Sequence, residues 1–159
     1  MQPILGIDPG LAHVGWGLIT HDGIRSRYLA HGVIKTDSKS PMADRLLHIY
    51  DGLAKVIEEY KPGSAGIETL YFAKNVSSAM PVAEARGALL LCMARHNLVI
   101  GEYTPLQIKQ SVVGNGRAEK HQVQVMVALL LKLKEPPKPD HAADALAAAL
   151  CHAHTGGLT

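Results

Sequence analysis

The sequence predicts an α/β fold, a five-stranded mixed sheet flanked by helices. Three observations predict it. Strand-length apolar runs and helix-period segments follow one another in the order βββαβαβααα. The first three runs are joined by short turns and so form antiparallel neighbours, whereas the last two arrive after helices. The 159 residues, 47% of them apolar, suffice for one domain with a sizeable core and hardly for two.

Residues 4–8 read as the first strand, ended by Pro9-Gly10. Residues 13–19 are the second, Asp22-Gly23 is a hairpin signal, and residues 24–35 alternate as the third. Ser40 and Pro41 mark a helix start, with Ser40 as N-cap and Pro41 at the first helical position. Leu46, Ile49, Tyr50, Leu53, Ile57 and Tyr60 then recur at helical spacing until Pro62-Gly63. Residues 64–69 are the fourth strand, followed by a loop over 71–75. From 76 to about 95 runs a long helix, apolar on more than one face, which suits partial burial at a homodimer interface. Residues 98–100 are the fifth strand, and Thr104-Pro105 starts a short helix. A loop over 113–116, a helix over 118–132, a stiff proline-rich linker over 136–139 and a last helix over 140–154 complete the chain.

The net charge of +2 neither demands nor excludes a nucleic-acid partner, so any such attraction must come from a local patch. No apolar run approaches the ~18 residues of a membrane span, and no signal-like segment precedes Asp8. Cys92 and Cys151, far apart in sequence, suit free thiols in a reducing cytoplasm.

The chemistry concentrates at two strand ends. Gly6-Ile7-Asp8 closes the first strand and Gly66-Ile67-Glu68 the fourth. A buried acid needs a base or a metal, and neither strand brings a Lys or Arg beside its carboxylate. Alternation puts Gly6 on the face of Asp8 and Gly66 on the face of Glu68, where small neighbours leave room for an ion and a substrate phosphate. Adjacent strands lie about 4.8 Å apart, close enough for the two acids to share cations.

The third element is Asp140-His141-Ala142-Ala143-Asp144. With Asp140 at zero on a helical wheel, Asp144 falls at about 40° and His141 at about 100°. Three potential ligands therefore share one edge of an alanine-rich helix able to approach the sheet closely. Asp140 also fits the helix N-cap. His152 and His154, beside Cys151, match no zinc spacing and read as an uninvolved C-terminal turn.

Together these stretches resemble the RuvC family of Holliday-junction resolvases. Gly6-Ile7-Asp8-Pro9-Gly10, Ile67-Glu68, Ala73-Lys74-Asn75, Ala85-Arg86-Gly87, Val112-Val113-Gly114, Ala118-Glu119-Lys120 and Ala142-Ala143-Asp144-Ala145-Leu146 carry the resemblance. It implies one nuclease domain over residues 1–159, with a ribonuclease-H-like fold acting as a homodimer. It also implies Mg²⁺-dependent nicking of two opposed strands at a four-way DNA junction, in recombination and repair. Mn²⁺ would substitute, two ions would bind per subunit, and the ends would be 5′-phosphate and 3′-hydroxyl. A branch-migration helicase complex of the RuvA and RuvB type is the implied partner. The family carboxylates carry over to Asp8, Glu68 and Asp144. Where many members have a further Asp, three residues before Asp144, this chain has His141, a variant that suits softer ions such as Mn²⁺.

Tyr71-Phe72-Ala73-Lys74-Asn75 follows Glu68 closely and suits stacking on unpaired bases, worth ~1–3 kcal/mol per base. The family's wedge aromatic corresponds to Tyr71. Lys109 and Lys120 are placed near the scissile phosphate by the same resemblance, Lys120 among the catalytic groups. Arg117, Arg86, Lys74 and Asn75 are candidate backbone contacts. The alternatives are a ribonuclease-H-like nuclease acting on structured RNA and a non-catalytic junction-binding module.

Overall fold

The protein is described by a computed structural model at residues 1–69 and 76–156. Its strands are β1 Ile4–Asp8, β2 His13–His21, β3 Ser26–Lys35, β4 Ser64–Glu68 and β5 Val99–Tyr103. Its helices are α1 Met42–Tyr60, α2 Val76–Arg95, α3 Pro105–Val113, α4 Lys120–Leu130 and α5 Asp140–His154. The sheet order is β3-β2-β1-β4-β5. The β1, β2 and β3 ladders are antiparallel, whereas β4 pairs in parallel with β1 and with β5. The mixed sheet expected from the sequence is therefore present.

Strand alternation divides the core in two. Leu5, Ile7, Val14, Leu18 and Ile67 point to one face and pack with Ile49 and Leu53 of α1 and Leu89 and Met93 of α2. Each is worth ~1.5–3 kcal/mol when fully withdrawn from water. On the other face lies α5, backed by Ile108 and Val112 of α3 and Val123 and Val127 of α4. Because α5 is covered on both sides, nearly all of it after His141 is buried. Its alanines follow from that sandwiching, which leaves little room for larger side chains.

Several boundaries differ from the sequence reading. Ser40 is not the cap of α1; Pro41 is, with no side-chain cap bond. The Ser40 N–H closes a turn on the Asp37 carbonyl, and the Pro41 carbonyl already accepts the Arg45 N–H. Strand β3 starts at Ser26 rather than at 24. The Asp22 carboxylate accepts the N–H groups of Ile24 and Arg25, which leaves Ile24 in the turn. Strand β5 runs on to Tyr103, paired with Glu68, although Gly101 and Glu102 look unlike strand residues. Helix α4 starts at Lys120 behind a Glu119 capping box and ends before Lys132, whose φ of 55° is left-handed. His152 and His154 lie in the last turn of α5, within the helix expected over 140–154. There the Tyr103 hydroxyl is 2.7 Å from His152 Nδ1, and Ser111 Oγ is 3.1 Å from His154 Nδ1. Cys92 and Cys151 are free and buried. No described helix is long and apolar enough to cross a membrane.

Gly6 of β1 and Gly66 of β4 have a role the sequence reading misassigned. A Cβ on Gly6 would sit 1.8 Å from the Ala145 carbonyl oxygen, and one on Gly66 would sit 2.6 Å from that of Ala148. The space over these two glycines is filled by the backbone of α5, so it is not where an ion or a phosphate would sit. Gly6→Ala is therefore expected to destabilise the fold by at least about 3 kcal/mol, since neither backbone can yield. Gly87→Ala, in α2 where an added Cβ meets nothing within 4 Å, should instead stabilise by about 0.5–1 kcal/mol. Urea denaturation of the two variants checks both signs.

Candidate active site

Three elements converge at the C-terminal end of β1. Strands β1 and β4 pair in register, Gly6 with Gly66 and Ile7 with Ile67, so Asp8 and Glu68 emerge side by side. Helix α5 lies across their glycines and adds His141 and Asp144. The Lys120 ammonium, at the start of α4, lies 3.6 Å from Asp144 Oδ2 and 3.5 Å from Asp140 Oδ2. His141 Nδ1 lies 3.0 Å from Asp8 Oδ2. Beside these groups opens a cleft of about 210 Å³, lined by Glu68, Lys109, Lys120 and Asp144.

Crowding and burial set the electrostatics. Burial pushes the Asp8 carboxyl up to about 6; the Asp144 charge adds to this, while the His141 hydrogen bond and Lys120 oppose it. Glu68 is pushed up to about 7, first by burial, then by the charges of Asp8 and Asp144, with Lys109 and Lys120 opposing. Asp144 is also raised by burial against the pull of Lys120. Lys120 in turn is held protonated to higher pH by Asp144 and Asp140. The fold thus forces three carboxylates together with less positive charge than they need.

That donor set fits a divalent cation. Carboxylate oxygens suit hard cations, and one imidazole admits softer ones. Among the described residues no three acid, histidine or cysteine side chains close into a finished cage. Asp8 is turned towards His141 and Asp144 towards Lys120.

Other expected site residues fall as follows. Asp140 does not cap α5; Pro139 takes the N-cap position, and the Asp140 carboxylate, one residue into the helix, faces Lys120. Lys109 lines the cleft. Arg117 is exposed on the loop before α4, its N–H held by the Asn115 side chain. Arg86 reaches across strand ends: it pairs with Glu102 of β5, and its Nε donates to the Glu68 carbonyl at 3.4 Å. Tyr71, Phe72, Lys74 and Asn75 lie outside the described residues. Two neighbours of the site went unnoticed in the sequence. His13 stacks on His141, with ring centroids 5.2 Å apart and planes 8° from parallel. Glu102, hidden in a strand end that looked like a loop, neutralises Arg86.

A pH prediction follows from Asp8, whose side chain is only 13% exposed. Its folded pKa lies above the ordinary value, so the folded state holds the extra proton. The resulting stability is full below about pH 4 and is lost as pH rises through about 6. At about 1.4 kcal/mol per unit, the ionised carboxylate costs on the order of 2–3 kcal/mol. In chelator-treated protein, Asp8→Asn should therefore be more stable than the parent at pH 7.5 and level with it near pH 4. Parallel urea titrations at the two pH values measure the difference.

The chain is similar to known proteins over nearly its whole length. A family model described as Crossover junction endodeoxyribonuclease RuvC matches residues 4–152. The RuvC crossover junction endodeoxyribonuclease of Alkaliphilus oremlandii is 53% identical over 156 residues, spanning 98% of this chain and 95% of that protein. That of Treponema denticola is 51% identical over 155 residues, spanning 98% and 87%. Thermus thermophilus RuvC in complex with a Holliday junction substrate superposes with a TM-score of 0.93 at 35% identity, covering 98% of this chain and 95% of that one. The yeast mitochondrial Holliday junction resolvase, 14% identical, covers 95% and 77% with a TM-score of 0.67 and shares the fold. The fold is ribonuclease-H-like, and the chain belongs to the RuvC family of crossover junction endodeoxyribonucleases.

Proposed function

We propose that this chain is a structure-selective endonuclease that resolves four-way DNA junctions by paired symmetric nicks in recombination and repair. The observation that carries the reading is the convergence of Asp8, Glu68 and Asp144 from three elements, two of these acids lining a cleft with Lys109 and Lys120. A core contact would not gather three acids whose burial raises all their pKa values; a site for cations and phosphate would.

Asp8, Glu68, His141 and Asp144 would hold the divalent cations, Mg²⁺ or Mn²⁺, two per subunit. Such ions supply Lewis-acid polarisation of the phosphodiester and a hydroxide-like water at neutral pH. The water oxygen bonds to phosphorus as the bond to the 3′-oxygen breaks. The 3′-oxygen leaves with a proton as a hydroxyl, and the phosphate stays on the 5′ side. Lys120, a mobile point charge on a long stem, neutralises the negative charge developing on the phosphoryl oxygens. Lys109 adds charge on the other wall. Arg117 meets the backbone further out, joined by Lys74 and Asn75 and, more weakly, by Arg86. One of Tyr71 and Phe72, directly beyond the Glu68 strand in sequence, stacks on bases unpaired at the junction centre.

A single domain over residues 1–159 carries this chemistry once. Two symmetric nicks need two copies, so the working form is a homodimer, its two-fold axis matching that of the junction. Met80 and Leu91, exposed on α2, are apolar surface available for that contact. The setting is the cytoplasm, alongside a RuvA and RuvB type branch-migration complex.

Asp8→Asn and Asp144→Asn should each lower junction cleavage by more than about 10³-fold while leaving junction binding intact, because they remove ligands and repulsion together. The checks are nicking assays and gel-shift titrations on a mobile four-way junction. Loss of binding in step with cleavage would count against the assignment. Mn²⁺ should raise the melting temperature of the parent at pH 7.5 and not that of either variant. Lys120→Ala should cut kcat by roughly 10²-fold with little change in KM.

A further inference from the structure

We propose that His13 is a positioning residue for His141. Its ring, stacked face to face with the His141 imidazole, keeps Nδ1 on Asp8 and leaves Nε2 as the ligating atom. The inference rests on the junction-resolving reading for its effect on turnover, but not for its effect on the imidazole itself.

The geometry comes from strand parity. His13 and Gly15 are two residues apart on β2 and so share the face that meets α5. At Gly15 the missing side chain admits the His141 backbone; an added Cβ would lie 2.0 Å from its carbonyl oxygen. With the start of α5 seated there, the next side chain on the same face is His13. It lies beyond the last β1–β2 pair, Asp8 with Gly15, and so beside the carboxylate.

Two constraints on His141 are then distinct. The 3.0 Å contact between His141 Nδ1 and Asp8 Oδ2 fixes one atom of the ring. A single hydrogen bond leaves the ring plane free to swing, because the terminal torsion of histidine is broad and nearly two-fold. A second ring 5.2 Å away and 8° from parallel fixes the plane. With Nδ1–H given to Asp8, Nε2 carries the lone pair needed to bind a cation. His13 is exposed and belongs to neither core cluster, so its removal should not unfold the protein.

The test compares His13→Ala, which removes the ring, with His13→Phe, which keeps a ring and removes both nitrogens. Three readouts apply: Mn²⁺ affinity by electron paramagnetic resonance, the His141 tautomer by two-bond proton–nitrogen NMR, and kcat with KM on a four-way junction. His13→Ala should weaken Mn²⁺ binding and lower kcat, each by about 3- to 10-fold, with KM unchanged and the His141 tautomers mixed. His13→Phe should stay within about twofold of the parent and keep the Nδ1–H tautomer. The proposal is overturned if His13→Ala matches the parent in Mn²⁺ affinity and tautomer. It is equally overturned if His13→Phe is as impaired as His13→Ala, since the nitrogens would then matter and not the ring face. If the parent binds Mn²⁺ but does not cut the junction, the functional reading fails, and the binding and NMR arms still decide the stack.

Discussion

The whole arrangement depends on α5 touching the sheet backbone to backbone. A helix normally rests on a sheet through two layers of side chains. Here the sheet layer is absent along part of the contact, because Gly6 and Gly66 present no Cβ to Ala145 and Ala148. The helix layer is reduced to alanine at most positions. Each alanine buries little area, so the contact gains its stability from closeness and from the cover of α3 and α4 behind it. The same closeness draws the first turn of α5, with His141 and Asp144, onto the tips of β1 and β4. A helix held one side-chain layer higher would leave Asp144 several ångströms from Asp8 and Glu68.

That placement has an electrostatic cost. Three carboxylates sit where burial opposes their ionisation; Asp144 raises Asp8, both raise Glu68, and Lys120, His141 and Lys109 oppose these shifts without cancelling them. Such a cluster lowers the stability of the folded chain at neutral pH, and a protein keeps it only where its chemistry is needed. Lys120 softens the conflict by spanning Asp140 and Asp144. Asp140 thus acts on the site through Lys120, which explains why an acid at the first position of α5 is turned away from the helix end it was expected to cap.

Much of this was legible in the sequence, and the gaps have physical reasons. The paired Gly-x-acid strand ends marked Asp8 and Glu68 as a pair on condition that their strands are adjacent, and the parallel pairing of β1 with β4 meets that condition. The helical wheel of α5 put His141 and Asp144 on one edge because the period of a helix needs no tertiary information. The purpose of the glycines was misread, because absence of a side chain signals close approach without saying what approaches. His13 and Glu102 were missed for a related reason. Their partners, His141 and Arg86, are distant in sequence, and no local period links them. Strand β5 was cut short because Gly101 and Glu102 have poor strand propensity, which the ladder with β4 overrides. The cap of α1 was placed one residue early because Ser40 is the better capping residue by type, but it is the Pro41 carbonyl that accepts the first helical N–H, from Arg45.

Charge balance links the acidic cluster to the basic groups around it. With a net charge of only +2, the chain attracts a polyanion through local groups, and the cleft offers Lys109 and Lys120. Yet Lys120 already faces two carboxylates, so it has little charge to spare for phosphate. A divalent cation held by Asp8, Glu68 and Asp144, as proposed above, would compete with the ammonium for Asp144. It would weaken one of the two holds on Lys120 and leave the ammonium able to turn towards the cleft. Arg86 has no comparable release. Its partner Glu102 lies on β5 at the outer edge of the sheet, and its second bond goes to a backbone carbonyl that no cation would neutralise. Of the two basic groups tied to the acidic end of the sheet, Lys120 is therefore the one whose availability to phosphate would depend on a bound cation in the proposed mechanism, while Arg86 stays fixed to the strand that carries Glu68.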